Sequence, residues 1–397
     1  MSQWQCPWLP PGHTVTEGSP VAREGIPITP ELLRWARERA GFSLQELIPE
    51  FRGIATWESG AAFPTYPQLE RLSEKFKVPI AVFFFPEPPD EPPIRQSFRN
   101  VPSVQFEALP RRIRFLLRKA TALRVNLAEL NDGRNPAERF ILNDLRFSRN
   151  MDVRRMALRV RDYLAVPLEE QMDWPDSEHA FARWRDVLEQ HGVAVFKDAF
   201  LDDDYAGFCL YDAVFPLIYV NNSVRTREIF TLFHELGHLL FHTSGIDVLG
   251  DDPPVAGPAS GRAIEATCNQ FAAEFLLPEE RFAADASESA PTDDRVEALA
   301  ERYSVSRESV LRRFLDRGQV TVEEYRRRAR RWEGQRRDEG GGNHYWTKIT
   351  HLGTAYINLA FSRYHQNRIT EVGLADYLDT KVKHLSKLED YFGRKVV

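Results

Sequence analysis

The chain has 397 residues, of which 43% are hydrophobic and 28% are charged, a composition that is typical of globular proteins and excludes an intrinsically disordered chain. Its length predicts two or three domains. The net charge of −6 at pH 7 excludes an overall electrostatic attraction to nucleic acid or to anionic membranes, so any DNA-binding surface has to be a local patch.

The first elements along the chain predict a small helical domain. Residues 1–28 are rich in proline and glycine, which predicts an irregular segment. In residues 29–93, Thr29 can cap a helix that has Pro30 at its first position, and a second helix starts at Ser43. The run PEPPDEPP at the end of this domain favours an extended polyproline spacer.

The remaining chain predicts helices around one short group of strands. Three apolar runs have the composition of strands, and the last of them directly precedes a long apolar helix. The strand-like runs are VAVFK (193–197), AGFCLYD (206–212) and LIYVN (217–221). The predicted regions are a helical linker at 94–175, the strand-containing domain at 176–290, a helical region at 291–338 and a C-terminal helical region at 339–397.

Cysteine usage and the absence of long apolar segments indicate the compartment. Cys6, Cys209 and Cys268 are far apart in the sequence, do not form a disulfide framework and suggest a reducing environment. The N-terminus lacks the charged and apolar regions of a signal peptide. No apolar run approaches the roughly 20 residues that cross a bilayer. We therefore expect a cytoplasmic protein.

The strongest chemical signal is IFTLFHELGHLLFH at 229–242, whose centre is the HExxH pattern of zinc peptidases. In a helix, His234 and His238 lie on one face in successive turns, so both imidazoles can bind one metal ion. Glu235 is then placed as a general base for an attacking water. Taken alone, the five residues are also compatible with an amphipathic helix whose histidines are core groups.

A catalytic zinc site needs a third protein ligand and one open position. Glu265, in the next predicted helix, is the candidate for that ligand. Asn269 follows one helical turn later on the same face and can hydrogen-bond a ligating imidazole. His242 shares the face of His238; it is a candidate for a ligand, a residue of the cleft or a histidine at the helix C-terminus.

The order and spacing of these motifs resemble the ImmA/IrrE family of metallopeptidases, in the gluzincin class, over about 178–280. The resemblance rests on Gly207-Phe208 with the run 216–221, on FTLFHELGHLLFH, and on E-x3-N-x-FAAEFLLP from Glu265. It implies that residues 176–290 are a zincin-like metallopeptidase domain with one Zn²⁺. The implied metal ligands are His234, His238 and Glu265, and the implied general base is Glu235. Manganese is an alternative metal.

Peptidases of this class bind substrate as an added strand at a sheet edge beside the HExxH helix. The LIYVN run is the candidate for that edge, with a plain core strand as the alternative. Tyr219, Asn221 and His242 are therefore candidate substrate-binding residues, and no spacing pattern identifies the oxyanion donor. Gly237 inside a helix costs about 1 kcal/mol relative to alanine, which predicts close packing against a neighbouring element.

Residues 29–93 resemble an Xre/Cro-type helix-turn-helix domain of the version fused to ImmA/IrrE peptidases. The segment between Ser43 and Trp57 should contain the turn and the start of the recognition helix. It is shorter here than in that version of the domain. DNA binding is therefore one alternative for this domain, and protein interaction or a structural role is the other. A second helix-turn-helix-like run, 299–318, predicts a subdomain packed on the catalytic unit.

These features predict a mostly helical α+β protein: a helix-turn-helix-like domain, a helical linker, a zincin-like domain with a small mixed sheet, and a helical C-terminal region. The resemblance implies a cytoplasmic zinc endopeptidase that cleaves a protein partner, a repressor or antitoxin encoded nearby, in a stress, mobile-element or defence response. The alternative is a DNA- or partner-binding regulator with a vestigial or structural metal site. A digestive peptidase fits less well because the sequence lacks a secretion signal.

Overall fold

The structure is a computed structural model that describes residues 25–89, 109–148, 150–248, 259–286, 291–333 and 343–396. The chain divides into two compact units, residues 1–91 and 92–397. Within the described residues no helix is long and apolar enough to cross a membrane. The predicted irregular segment 1–28, the polyproline spacer and Cys6 lie largely or wholly outside the described residues.

The first unit is helical, as the sequence predicts. Its second and third helices have only 4 and 5 residues. The side chain and backbone of Ser43 form a capping box with Glu46, which supplies partners to otherwise unsatisfied amide groups at the helix start. Its elements are α1 (Pro30–Ala40), α2 (Leu44–Leu47), α3 (Ile54–Glu58), α4 (Tyr66–Phe76) and a 3₁₀ turn (Ile80–Phe84).

In the predicted helix-turn-helix domain, helix α3 would be the recognition helix. Ile54, Trp57 and Glu58 are buried in the unit, which leaves Ala55 and Thr56 as the exposed side chains of this helix. A recognition helix presents several side chains to base edges in the major groove. Two small side chains offer little for such readout, which favours the alternative of protein interaction or a structural role for this unit. DNA binding stays a prediction.

The second unit is a mostly helical α+β structure with one mixed sheet, which confirms the predicted fold class at that level. The three predicted strands are present, and a short fourth strand was not predicted. The elements are α5 (Arg111–Leu130), α6 (Ile141–Asp144), α7 (Val153–Leu164), α8 (Leu168–Met172), α9 (Ser177–Gln190), β1 (Ala194–Asp198), β2 (Tyr205–Leu210), β3 (Leu217–Asn221), α10 (Arg225–Leu240), β4 (Ile246–Val248), α11 (Ala259–Leu276), α12 (Glu279–Asp285), α13 (Asp293–Tyr303), α14 (Arg307–Asp316), α15 (Val322–Glu333), α16 (His344–Leu352), α17 (Thr354–His365), α18 (Glu371–Tyr377), a 3₁₀ turn (Val382–His384) and α19 (Leu385–Val396).

The strand order is β1-β3-β2-β4. Strand β3 pairs in parallel with β1 and antiparallel with β2, and β2 pairs antiparallel with β4. The LIYVN run is β3, so it is an inner strand, and the prediction that it forms the sheet edge is wrong. The two edges of this sheet are β1 and β4. A run of buried residues on both faces is what an inner strand requires, and all five residues of β3 are buried.

The two faces of the sheet carry two separate cores. Alternate residues of a strand point to opposite faces. Val195, Ile218 and Val220 belong to the core of the HExxH helix α10. Phe196 and Tyr219 belong to a second core that α5 shares with the C-terminal helices. The predicted linker and C-terminal regions therefore contribute helices that cover the back of the sheet.

Helices α13 and α14 pack on the same side of the sheet as α10. Leu299, Tyr303, Val310 and Phe314 are buried in the same core as α10. Ser306 caps α14 by accepting a hydrogen bond from the backbone of Ser309. The role of 299–318 as a separate subdomain stays a prediction.

Two glycines set the position of α10. A Cβ atom on Gly207 of β2 would lie 2.5 Å from Thr231 Cγ2, so the helix rests directly on the strand. A Cβ atom on Gly237 would lie 3.1 Å from Cys268 Sγ and 3.2 Å from Phe271 Cδ1 on α11. Gly237 thus lies where α10 and α11 approach closely. This agrees with the prediction of close packing at this position, which was made because glycine is unfavourable inside a helix.

A buried ion pair attaches the start of α10 to β1. Lys197 Nζ lies 2.7 Å from Glu228 Oε2, and both side chains are fully buried. Glu228 also accepts hydrogen bonds from the backbone of Ser223 and from Arg225. Since burying a charge is costly unless it is paired and hydrogen-bonded, these partners make the carboxylate tolerable in the core.

Candidate metal centre

Helices α10 and α11 bring three metal-binding side chains together. The Nε2 atoms of His234 and His238 are 3.1 Å apart. Glu265 Oε2 lies 3.4 Å from the first Nε2 and 3.2 Å from the second. Ligand atoms at zinc-binding distances and tetrahedral angles are separated by about 3.3–3.5 Å. The three atoms are therefore spaced to hold one ion, and the donor set of two imidazoles and a carboxylate suits zinc.

The charges of these groups agree with a cation site. Burial by itself raises the pKa of Glu265, but hydrogen bonding to His234 and His238 lowers it far below its ordinary value. The pKa of His238 is raised well above its ordinary value: burial lowers it, and Cys268 and Glu265 outweigh that effect. The Glu265 carboxylate is thus ionised, and its negative charge favours a cation at this position.

In each imidazole, Nε2 faces the other candidate ligand atoms, and the second nitrogen, Nδ1, has a partner of its own. Asn269 Oδ1 is 2.9 Å from His234 Nδ1, so Nδ1–H donates to the amide oxygen and leaves the Nε2 lone pair for a metal. Thr243 Oγ1 is 3.5 Å from His238 Nδ1 and donates to the His238 carbonyl oxygen at 3.0 Å. Gly245 packs against the same ring, where its Cβ atom would lie 3.0 Å away.

Thr243 and Gly245 were not identified from the sequence. They follow the end of α10 in a loop, without a periodic pattern that relates them to His238. Only the turn that brings β4 back beside β2 places them on this ring. A threonine and a glycine directly after an HExxH helix are the only sequence signal for them.

Glu235 is fully buried beside His234. Burial is the main cause that raises the pKa of the Cys209 thiol, and the neighbouring Glu235 raises it further. The carboxylate of Glu235 therefore lies near Cys209 of β2, and its role as a general base stays a prediction. Cys268 is buried against Gly237 and raises the pKa of the His238 imidazole, so this thiol packs between the helices and also lies beside a candidate metal ligand.

The structure places two of the three candidate substrate-binding residues on the face of the sheet away from this centre. Tyr219 is on the opposite face of the sheet, where its ring stacks on Phe208 with centroids 5.1 Å apart. Asn221 is buried, and its amide hydrogen-bonds the backbones of Phe200 and Tyr205. Alternation along β3 puts both side chains on the face away from α10.

His242 comes directly after α10 in the left-handed conformation, with φ 57°. Its ring stacks on Tyr211 with centroids 4.8 Å apart, and burial together with Arg146 lowers its pKa. A neutral imidazole gains little from the helix dipole. The contact with Tyr211 favours a packing role for His242 after the helix end, and its other candidate roles stay predictions.

Loss of the Asn269 side chain should weaken metal binding while leaving the fold intact. In Asn269→Ala, the His234 imidazole loses the acceptor that orients it, and loss of such a partner costs about 10–100-fold in metal affinity. Competition with a zinc-binding dye measures the affinity. Gln270→Ala, at the neighbouring exposed position, is the matched control and should bind zinc as the parent does. Equal affinity in both variants would contradict the role given to Asn269.

Comparisons with known proteins agree with this arrangement. Residues 188–315 match the family model Peptidase_M78, described as the IrrE N-terminal-like domain. The chain is similar to the radiation response metalloprotease IrrE of Deinococcus radiodurans, with 32% identity over 120 residues, 28% of this chain and 34% of that protein. It is also similar to the protein of the same name from Deinococcus deserti, with 33% identity over 115 residues, 27% of this chain and 38% of that protein. The chain thus spans little more than a third of the length of these curated relatives. The similarity supports an IrrE-like metallopeptidase domain within residues 188–315.

Proposed function

We propose that the chain is a cytoplasmic zinc-dependent endopeptidase that hydrolyses one peptide bond in a specific regulatory protein. The proposed substrate is a repressor or antitoxin encoded near its gene, and the proposed setting is a stress, mobile-element or defence response. The observation that carries the proposal is the convergence of His234, His238 and Glu265, within 4.8 Å of one another, on and beside a helix that also holds Glu235.

The residues of the centre divide the chemistry among them. His234, His238 and Glu265 would hold the ion, which when bound supplies Lewis-acid polarisation and lowers the pKa of water. Glu235 would take a proton from the attacking water on its carboxylate and deliver it to the leaving nitrogen. Asn269 and Thr243 would orient the imidazoles so that both Nε2 atoms face the ion.

The geometry favours a catalytic centre over a structural one. Structural zinc sites are closed by four protein ligands, whereas catalytic sites have three ligands and an open position. Within the described part of the chain, the group contains three ligand residues. The two histidine side chains are buried, but the side chain of Glu265 is 36% exposed, so the centre is open to solvent on the Glu265 side.

We propose β4 as the strand to which a substrate adds. It is a sheet edge, and Gly245 immediately before it packs on the ring of His238. An extended peptide paired with this edge would have its backbone beside the proposed metal ion. The proposed substrate-binding edge is therefore Ile246–Val248 and not LIYVN.

Cleavage of a partner with and without metal tests the proposed function. The purified chain is incubated with proteins encoded beside its gene, and products are mapped by mass spectrometry. We expect one discrete cleavage in one of these proteins, loss of cleavage with EDTA, and recovery when about one equivalent of zinc is restored, because the centre has a single set of ligands. Cleavage that persists after complete removal of metal would contradict the proposal.

A further inference from the structure

A cavity lies in the second unit on the face of the sheet that points away from α10. Its volume is about 210 Å³. For comparison, an engineered apolar cavity of about 150 Å³ holds a benzene molecule. The space therefore suits a compact molecule with a single ring or a short carbon chain. Its lining includes residues of α5, β1, β3 and α16, among them Lys119, Leu123, Phe196, Tyr219, Lys348 and His351.

This cavity is separate from the candidate metal centre. Phe196 and Tyr219 belong to the core at the back of the sheet, whereas α10 packs on the front. A ligand in the cavity would therefore lie one sheet thickness away from His234 and His238. It could not be the peptide that the metal centre acts on.

The walls of the cavity combine a cationic side with an aromatic side. Lys119 Nζ lies 2.9 Å from Asp198 Oδ2, and Arg112 lies 2.7 Å from Asp198 Oδ1. Lys348 Nζ lies 3.4 Å from Asp379 Oδ2, and Lys119 Nζ also reaches this carboxylate at 3.3 Å. Three cations thus share two carboxylates, and the Asp379 side chain is 65% exposed. Of these groups, Lys119, Lys348 and Asp198 line the cavity, so two cations face it with one carboxylate.

His351 and Lys348 on α16 are poised to interact with an anion. Burial is the main cause that lowers the pKa of His351 to about 4, and nearby lysines lower it further although Asp198 opposes them. The imidazole is therefore neutral at pH 7 and has an N–H that can donate. Burial also lowers the pKa of Lys348. An anion bound beside this ammonium would offset the cost of burying its charge.

We propose that this cavity binds a small organic anion, a phosphate monoester or a carboxylate on a compact aromatic body, as an effector site distinct from the metal centre. The oxyanion would be held by Lys119 and Lys348. The ring would pack on Phe196, Tyr219 and Leu123, whose side chains provide an apolar surface of matching size.

One ion pair connects the cavity with the catalytic helix. Lys197 forms part of the cavity wall, and its Nζ reaches Glu228 at the start of α10. The lysine side chain points to the α10 face, so a ligand in the cavity would act on it only by displacing β1, and through the ion pair on the first turn of the helix that holds His234. This connection gives an effector at the back of the sheet a physical route to the catalytic side.

Binding of phenyl phosphate to the full-length zinc-loaded chain tests the proposal. Calorimetry should detect binding of phenyl phosphate and give weaker binding for inorganic phosphate and for phenol, since each lacks one half of the recognised structure. Benzoate in place of phenyl phosphate distinguishes a carboxylate from a phosphate head. Phenol that binds as tightly as phenyl phosphate would overturn the oxyanion requirement. Inorganic phosphate that binds as tightly would overturn the role of the aromatic wall.

A lysine variant tests where the anion binds. Lys348→Met keeps the apolar stem and removes the charge, and loss of a charge-assisted hydrogen bond should weaken phenyl phosphate binding about tenfold or more. Lys383→Met, which changes an exposed lysine, is matched in charge and should leave affinity within about twofold. Equal affinity for the parent and Lys348→Met would overturn the proposal.

Hydrogen exchange on the parent protein gives a measurement that does not depend on the folding of any variant. Phenyl phosphate should slow exchange in peptides from His344–Leu352 and Ala194–Asp198. Protection confined to other segments would place the anion elsewhere and overturn the proposal. None of these measurements involves peptide hydrolysis, so they stand or fall independently of the proposed peptidase activity.

Discussion

Replacing Glu235 with glutamine is expected to abolish cleavage of the protein partner, with a loss of roughly 10²- to 10⁴-fold in rate. The amide cannot take a proton from the attacking water, and it is close in size to the carboxylate that it replaces. The atoms of His234, His238 and Glu265 that would bind metal are unchanged. Metal content and partner binding should therefore be kept. Product formation by mass spectrometry, metal analysis and co-purification of the partner measure the three properties.

Glu301→Gln provides the matched control for this variant, because it makes the same chemical change at an exposed position on α13. It should cleave the partner at the parent rate. If Glu235→Gln retains full cleavage, or full biological activity, the peptidase hypothesis fails. The regulator with a structural or vestigial metal site would then be the better explanation.

Replacing Glu228 with leucine is expected to lower the free energy of unfolding of the second unit by about 3–5 kcal/mol, the usual cost of breaking a buried ion pair from one side. Lys197 would be left in the core without the carboxylate that it contacts at 2.7 Å. Denaturation in urea, followed by fluorescence, measures the change. Removing the charge from both residues, as Lys197→Met with Glu228→Leu, should restore a large part of the loss because no unpaired buried charge remains.

Glu178→Leu is the matched control, since Glu178 is 67% exposed and pairs with Arg225, which also contacts Glu228. Its effect should stay within about 0.5 kcal/mol. A double variant as unstable as Glu228→Leu would show that the pair itself, and not the unpaired lysine, accounts for the loss.

The same pair predicts a pH dependence of stability. Burial lowers the pKa of Lys197 to about 8, although Glu228 opposes the shift. Between about pH 8 and the ordinary lysine pKa, the unfolded chain binds more protons at this group than the folded chain does. Stability from this residue therefore rises with pH over that window.

Local patterns in the sequence predicted which residues of α10 and α11 are candidates for metal binding. His234 and His238 are one helical turn apart, and so are Glu265 and Asn269. A helix therefore determines which side chains share a face, whatever surrounds it. In the structure, ligand atoms of His234, His238 and Glu265 lie within 4.8 Å of one another. The Asn269 amide oxygen is within hydrogen-bond distance of His234 Nδ1. Their role as metal ligands stays a prediction until metal is measured.

Strand order is not a local property, which is why the edge prediction failed. LIYVN has the same apolar composition whether it is an inner or an edge strand. Its neighbours are decided by which strands the chain returns to it: β1 on one side and β2 on the other. The true edge beside His238 is a three-residue strand, too short to give any periodic pattern. Tyr219 and Asn221 were candidate substrate-binding residues only because LIYVN was expected to be the edge strand.

By itself, the sequence determined the mostly helical α+β fold class and the candidate metal ligands, because helical spacing and residue type are encoded within one or two turns. The tertiary structure alone decided the rest: the edge at β4, the contacts of Thr243 and Gly245 with His238, and the cationic cavity behind the sheet. Each of these depends on segments that are distant in the sequence and meet only when the core is packed. The HExxH helix was predictable for that reason, and the surface that would bind its substrate was not.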